Sequence, residues 1–415
     1  MTSDRSLTHA RTMVLLAAFL GWMFDGVEMG IFPLVARPAL QQMQAHLGAV
    51  TDTFIGRWMG IITALFLLGA AFGGVLFGWL GDRVGRLRAL TYSILTYSIF
   101  TGLAYFARVP WHLGALRFIA ALGMGGEWSL GVALVMEVWP EKHRPWLAGV
   151  IGAACNLGIA LIAFLGMFFS VTQQSWRWVV LVGALPAALT FLLRLFVPES
   201  ERWKQATLNA PVKPFTEIIK HKLVGKMMLA TVLSSVVLIG TWGTVQWLPL
   251  WADQLTGGLL PKAKAYTQAL TGIGSVVGCL LAVWMGEKTN RRFAYFLICI
   301  GSLFSCMVLF RTVAVYGNAF LILTFVVGTT TGAFFGWLPL YLPELFPTRV
   351  RATGQGFAYN AARVFAAIGA LQMGALMKQF DGNYARGGAL ITLIYLFGAV
   401  FIWFCPETKG EPLPE

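Results

Sequence analysis

Apolar residues in this 415-residue chain fall in blocks of twenty or so, parted by short turns marked by charge, glycine or proline. That is the length at which an α-helix covers about 30 Å of hydrocarbon. Twelve blocks stand out, at 12–34, 56–80, 88–107, 112–139, 144–170, 176–197, 225–252, 263–286, 292–313, 318–344, 352–378 and 386–405. A closed barrel would show alternating segments of about ten residues instead. The pattern therefore predicts an all-α membrane protein with twelve transmembrane helices in two six-helix bundles.

The division into two rests on spacing. Glu137, Pro140 and Arg144 recur as Glu344, Pro347 and Arg351, an offset of 207. Gly81-Asp82-Arg83 with Arg86 recurs as Gly286-Glu287-Lys288 with Arg291, and Pro198-Glu199-Ser200 as Pro406-Glu407-Thr408. A tandem duplication follows, with an N-terminal bundle at 1–197, a linker at 198–224 and a C-terminal bundle at 225–415.

Composition agrees with a membrane chain: 57% hydrophobic, 12% charged and a mean hydropathy of +0.71, where soluble domains are about 25% charged. Nineteen lysines and arginines lie on the side of both termini against about nine on the other, which predicts cytoplasmic termini and accounts for the net charge of +13 through topology. A nucleic-acid partner is not needed to explain it. The first block has no small-residue cleavage site and is expected to be retained as a span. The five cysteines fall in or at the ends of blocks without a CxxC pattern and are expected to pack, not to bind metal. No cofactor motif and no nucleophile with a plausible base is present, so an enzyme is not expected.

Charge inside the blocks is the informative exception, because a charged group in hydrocarbon is costly and usually marks a pathway. Counted at 1.5 Å per residue, Asp25, Glu28, Glu127, Asn156 and Arg363 all lie roughly 17–24 Å from the helix ends, near the midplane. Asn156 and Arg363 are themselves 207 apart and so occupy equivalent places in the two repeats. The planar guanidinium of Arg363 matches a carboxylate bidentately and can act as an anion receptor; alternatively it is permanently paired to Asp25, Glu28 or Glu127. Asp25 and Glu28 share one helical face, and three acids against one arginine leave at least one expected to carry a proton. The same acids could instead be neutralised by a neighbouring arginine. No histidine competes, since all five sit in loops or at span ends.

Gly78-x-x-Gly81-Asp82-Arg83-x-Gly85-Arg86, with its degenerate copy at 286–292, resembles the loop signature of the major facilitator superfamily, and the likeness extends over the whole chain. Arg117-Phe118, Gly123-x-Gly125-Gly126-Glu127-Trp128 and Glu137-x-x-Pro140-x-x-x-Arg144 resemble its proton-coupled carboxylate symporters, namely the sialate/lactate, aromatic-acid and metabolite subfamilies. The glycines of the fourth span also have a packing reading, as small residues that let spans four and two approach closely. PESERW, after the sixth block, and the C-terminal PETKG resemble signatures shared by sugar porters and organic-ion transporters, although Glu201 replaces an expected proline. Sugar-porter glutamine pairs in span seven and the Gly-Pro kink of drug antiporters in span five are lacking. The segment ending in Arg363 resembles that of animal organic-anion transporters, and Asp25-Gly-x-Glu28 the acidic pair of aromatic-acid symporters.

The resemblance implies that Asp82, Arg86, Glu137 and Arg144, with Glu287, Arg291, Glu344 and Arg351, form pairs that gate the cytoplasmic side; topology-setting charge is the plainer alternative. Asn360, Gln246, Trp242, Trp337 and Tyr341 join Arg363 and Asn156 as candidate substrate contacts, against a packing role for the aromatics. Asp25, Glu28 and Glu127 are the candidate proton carriers. The expected protein is a monomeric, multi-pass carrier of the cell membrane that moves a small organic anion, a monocarboxylate or aromatic acid, with a proton. A neutral solute such as a sugar, with Arg363 structural, is the alternative carrier; a non-transporting receptor on the same fold is the alternative of another kind.

Overall fold

The computed structural model describes residues 2–44, 51–186, 188, 214–220, 222–347, 350–411 and 414, with the side chains of 2–10, 52, 82, 129, 133, 137, 141, 144, 214, 215 and 352 left aside. The described residues form helices and no strand. In chain order they are α1 (Thr2–Gln44), α2 (Asp52–Val84), α3 (Arg86–Leu103), α4 (Pro110–Met124), α5 (Glu127–Val138), α6 (Arg144–Phe168), α7 (Trp176–Val182), α8 (Pro214–Lys220), α9 (Val224–Gly243), α10 (Leu248–Leu255), α11 (Ala263–Lys288), α12 (Arg291–Thr312), α13 (Asn318–Tyr341), α14 (Arg351–Gln379), α15 (Tyr384–Ile391) and α16 (Ile394–Phe401). Among the described residues, nine stretches are long and apolar enough to cross a bilayer. With α4 and α5 read as two halves of one crossing, and α7 as the described start of another, the order is that of a twelve-helix membrane protein.

Helices extend or break where apolar blocks alone mislead. The first block was expected to end at 34, yet α1 runs on to Gln44 through Pro33 and Pro38, because neighbouring helices tolerate a proline where backbone groups must otherwise stay bonded. The fourth block, expected as one helix over 112–139, is interrupted at Gly125 and Gly126, so Glu127 becomes the first residue of α5. The seventh, expected over 225–252, breaks at Thr244 and passes through a 3₁₀ turn at Val245–Trp247 before α10. Of the expected linker, α8 and residues 222–224 are described, and the rest lies outside the described residues.

The signature loop between α2 and α3 has a local cause. Gly85 caps both helices with φ 111°, a conformation that costs a side-chain-bearing residue far more than glycine. In the second copy the turn is made by Thr289 and Asn290, and the Asn290 side chain accepts from the Phe293 N–H as the cap of α12.

The two most extensive contacts between the first and second halves of the chain are those of α2 along α14 and of α6 along α11. Shifted by the repeat offset, α2 becomes α11 and α6 becomes α14, so each contact is the image of the other. The halves thus meet as a pseudo-twofold pair, and the residues at mid-height of these four helices face one another.

Candidate functional site

The centre is built where α2 is pinched from both sides. A Cβ on Gly125, at the break before α5, would lie 2.0 Å from the Ala70 carbonyl oxygen of α2, so the glycine is what lets α4 close on α2, as the packing reading expected. On the other side a Cβ on Gly74 would lie 2.0 Å from Asn360 Nδ2 of α14. That bare backbone admits two side chains from the second half. Asn360 Nδ2 donates to the Gly356 carbonyl at 2.8 Å, and its Oδ1 accepts from Arg363 Nη1 at 2.7 Å. Arg363 Nη1 also reaches the Ala70 carbonyl at 3.4 Å. The guanidinium is 2% exposed and lies over the Tyr359 ring at 5.0 Å. Trp128 of α5 stacks on Tyr359 across the halves, with centroids 4.5 Å apart and planes at 24°. Arg363 therefore sits between the halves, held by a neutral amide, a carbonyl and an aromatic face; among the described residues no carboxylate forms an ion pair with it.

The acids lie beside it on the first half. Asp25 and Glu127 are 0% and 2% exposed, their carboxyl groups touch, and no donor among the described residues reaches either one. Arg363 is within electrostatic range of Asp25 without contacting it. Glu28 is separate. Arg117 Nη1 pairs with its Oε1 at 3.0 Å, and Thr101 Oγ1 donates to the same oxygen at 3.3 Å. The Arg117 guanidinium lies between the rings of Phe32 and Phe66, 4.7 and 4.8 Å from their centroids. Neutralisation by a neighbouring arginine thus applies to Glu28 and not to Asp25. An arginine near the start of the fourth block was the available signal; Trp128 stood in the Gly123–Trp128 motif, and Tyr359 carried none beyond being aromatic.

Asn156 faces the second half, its Nδ2 3.3 Å from the Gly152 carbonyl and 3.7 Å from Cys279 Sγ. It lines a cavity of ≈ 40 Å³ with Gln246, Gln268, Thr271, Ser275 and Thr331 among others. Gln268 Nε2 donates to the Gly30 carbonyl at 2.9 Å, tying α11 to α1. A space of that size holds about one water, whereas organic ligands occupy pockets of about 300 Å³ or more. The arrangement is contracted, and a substrate can enter only if the halves part.

Other expected contacts lie elsewhere. Trp242 packs on Phe66 at 5.4 Å. Trp337 and Tyr341 are fully buried near the termini, Trp337 Nε1 donating to the Arg291 carbonyl at 3.0 Å and Tyr341 Oη to the Pro406 carbonyl at 2.7 Å. They join helices and do not line the central cavity. Of the gating set, Arg291 pairs with Glu287 and Glu344, each at 2.9 Å, all three in the second half. Arg351 donates to the carbonyls of Pro343, Phe346 and Pro414. Arg86 is buried at the start of α3; the side chains of Asp82, Glu137 and Arg144 lie outside the described residues.

Two six-helix halves related by a pseudo-twofold, with a polar centre at mid-height, define a membrane carrier of the secondary-transporter type. The sequence matches the Major Facilitator Superfamily over residues 14–370, and the chain belongs to that family. It is 32% identical to a putative metabolite transport protein of Haemophilus influenzae, covering 96% of this chain and 97% of that one. It is 29% identical to the cis,cis-muconate transport protein of Acinetobacter baylyi, covering 98% and 97%. The fold superposes on the proton:xylose symporter XylE with a TM-score of 0.77 at 18% identity, covering 98% of each chain. The protein is thus a multi-pass membrane transporter and not an enzyme.

Proposed function

We propose that the chain carries a small organic anion, a monocarboxylate or aromatic acid, together with a proton, by rocking bundle 1–197 against bundle 225–415. One observation carries this reading: Arg363 is a buried cation between the halves without a carboxylate partner among the described residues. Its charge and fork favour a carboxylate supplied from outside. The muconate carrier among the relatives supports an organic acid as cargo. Asn360 orients the guanidinium, and Asn156 and Gln246 offer polar contacts on the other wall; Trp242, Trp337 and Tyr341 support the site through helix packing.

Asp25 and Glu127 are the proton site. Two carboxyl groups in contact, with no donor between them, are held together by a proton, and repel once it leaves. Glu28, paired to Arg117, stands next to this site as a second acid whose charge is already met. One proton with one monoanion moves no net charge, which matches one arginine and one exchangeable proton. The remaining charges, Asp82, Arg86, Glu137, Arg144, Glu287, Arg291, Glu344 and Arg351, gate the face that holds the termini; the excess of lysine and arginine there supports a cytoplasmic face. The protein works as a monomer in the cell membrane.

Uptake of radiolabelled benzoate, lactate and xylose into proteoliposomes, for the native chain, Arg363→Lys and Arg363→Gln, tests this. Benzoate or lactate uptake should be weakened in the lysine variant and lost in the glutamine variant. Full carboxylate uptake by Arg363→Gln, or uptake of xylose alone, overturns the anion reading.

A further inference from the structure

Among the described residues two aromatic pairs cross the seam between the halves. Phe66 of α2 meets Trp242 of α9 tilted by 38° at 5.4 Å, whereas Trp128 of α5 and Tyr359 of α14 are stacked, at 24° and 4.5 Å. The stacked pair is buried, with Trp128 4% and Tyr359 3% exposed, and it is the one tied to the cation. Arg363, one helical turn on from Tyr359, lies over the same ring at 5.0 Å. On the other wall Trp128 is set by the break at Gly125 and Gly126, where the chain leaves α4 and begins α5 with Glu127 and Trp128. An acid of the proposed proton site and the ring that crosses the seam are thus consecutive residues. The halves must part before an organic ligand fits at the centre, and parting them breaks this stack. Two ring faces then lose their apolar cover, which is unfavourable in water. The same motion takes the Ala70 carbonyl of α2 away from Arg363, leaving the guanidinium free to turn its donors to a carboxylate. A gap wider by one ring thickness, about 3.5 Å, admits a flat ring and restores an aromatic contact on each side. A saturated ring is puckered, thicker and without a π face, so it restores neither.

We propose that Trp128 and Tyr359 are the two walls of an aromatic slot: the ring of an aromatic acid enters between them as its carboxylate meets Arg363, and Trp128 thereby sets a preference for flat, unsaturated acids over saturated ones. In placing the carboxylate on Arg363 the inference rests on the proposed function. The walls come from different halves, so a ligand in the slot touches both at once. The cost of parting the stack is offset only for a ring that replaces it on both faces. Specificity is a difference of affinities, and here the difference arises from that replacement.

The test compares benzoate with cyclohexanecarboxylate, which carry the same carboxylate on rings of equal size, flat in one and puckered in the other. Their binding to the full chain in lipid nanodiscs is measured by titration calorimetry, and their uptake into proteoliposomes in parallel, for the native chain, Trp128→Leu, Trp128→Phe and Tyr359→Phe. The native chain should bind benzoate roughly tenfold more tightly, the scale of aromatic contacts on two faces. Trp128→Leu should bring that ratio to about one, whereas Trp128→Phe and Tyr359→Phe, which keep a ring on each wall, should retain most of it. A native chain that binds the two acids equally overturns the inference whatever the variants do, and so does a preference that Trp128→Leu leaves at its native value. Either result with both acids still carried leaves the carrier reading standing. A preference for benzoate in binding, in a chain that carries neither acid, supports the slot and sinks the carrier reading; binding of neither acid sinks both.

Discussion

Asn156 and Arg363 are the same position in two repeats, and the halves differ most sharply around them. In the first half every charge near the midplane faces another titratable group: Asp25 meets Glu127, and Glu28 meets Arg117. In the second half a lone guanidinium rests on an amide, a carbonyl and an aromatic ring. The interlocking of α2 with α14 and of α6 with α11 is preserved by the duplication, while the chemistry at the centre is not. The two halves divide the labour: a symmetric frame can rock only if its halves stay alike, and can couple two different ions only if its centres do not.

The hardest way to strain that comparison is to unbalance the first half. Glu28→Gln leaves Arg117 buried between Phe32 and Phe66 without its carboxylate, and removing one partner of such a pair costs about 3–5 kcal/mol. Thermal unfolding in detergent should therefore show a large loss for Glu28→Gln and for Arg117→Gln. The double variant should recover part of it, because the two losses share one interaction. Additive losses would mean that the pair is not what steadies this bundle.

The comparison is broken more directly by moving the cation. Asn156→Arg combined with Arg363→Asn keeps the charge and exchanges the halves. Benzoate uptake should stay at least roughly 100-fold below native, equivalent to about 2.7 kcal/mol, since the platform of Tyr359 and Trp128 and the Asn360 acceptor do not move with the arginine. Recovery to near-native rates would show that the sum of charge matters and its side does not.

Next in size is coupling. With one proton per anion, a pH difference of one unit can sustain about a tenfold accumulation. Asp25→Asn should reduce accumulation to equilibration while exchange of internal for external benzoate continues, because the anion site is untouched. An Asp25→Asn variant that still concentrates benzoate would remove the carboxyl pair from the proton path.

Much of this was legible in the sequence, for reasons that differ by residue. Arg363 and Asp25 could be found because charge in an apolar block has few explanations, and the offset of 207 named Asn156 as the counterpart of Arg363. The partner of Glu28 could not be found, because Arg117 lies 89 residues away and sequence spacing says nothing about which helices cross. Helix breaks at Gly125 and Thr244 were hidden for the opposite reason: hydropathy is continuous through them, and only close approach to α2 or the local turn interrupts the helix. Trp337 and Tyr341 qualify as substrate contacts only by lying in the tenth span, yet their hydrogen bonds to the Arg291 and Pro406 carbonyls fix them near the termini.

The smallest effect concerns the terminal PETKG segment. Glu407 accepts from the backbone N–H groups of Arg291 and Arg292 at 3.0 and 3.1 Å, capping the N-terminus of α12. Thr408 next to it donates to Glu344, the acid that pairs with Arg291. Burial alone would push the Glu407 carboxyl up, but the backbone N–H groups of Arg292, Arg291, Lys409 and Thr408 outweigh it and hold the group below its ordinary 4.5. A carboxylate held low in the folded state adds stability above its unfolded value and loses it as pH falls through the folded one. Glu407→Gln should therefore lower stability by about 1 kcal/mol or less at neutral pH, the usual scale for an anion at a helix N-terminus. Its deficit against the native chain should shrink as pH falls below the ordinary 4.5 and close once the native carboxylate is itself protonated. A deficit that persists unchanged into acid would mean that the segment steadies α12 through packing and not through this charge.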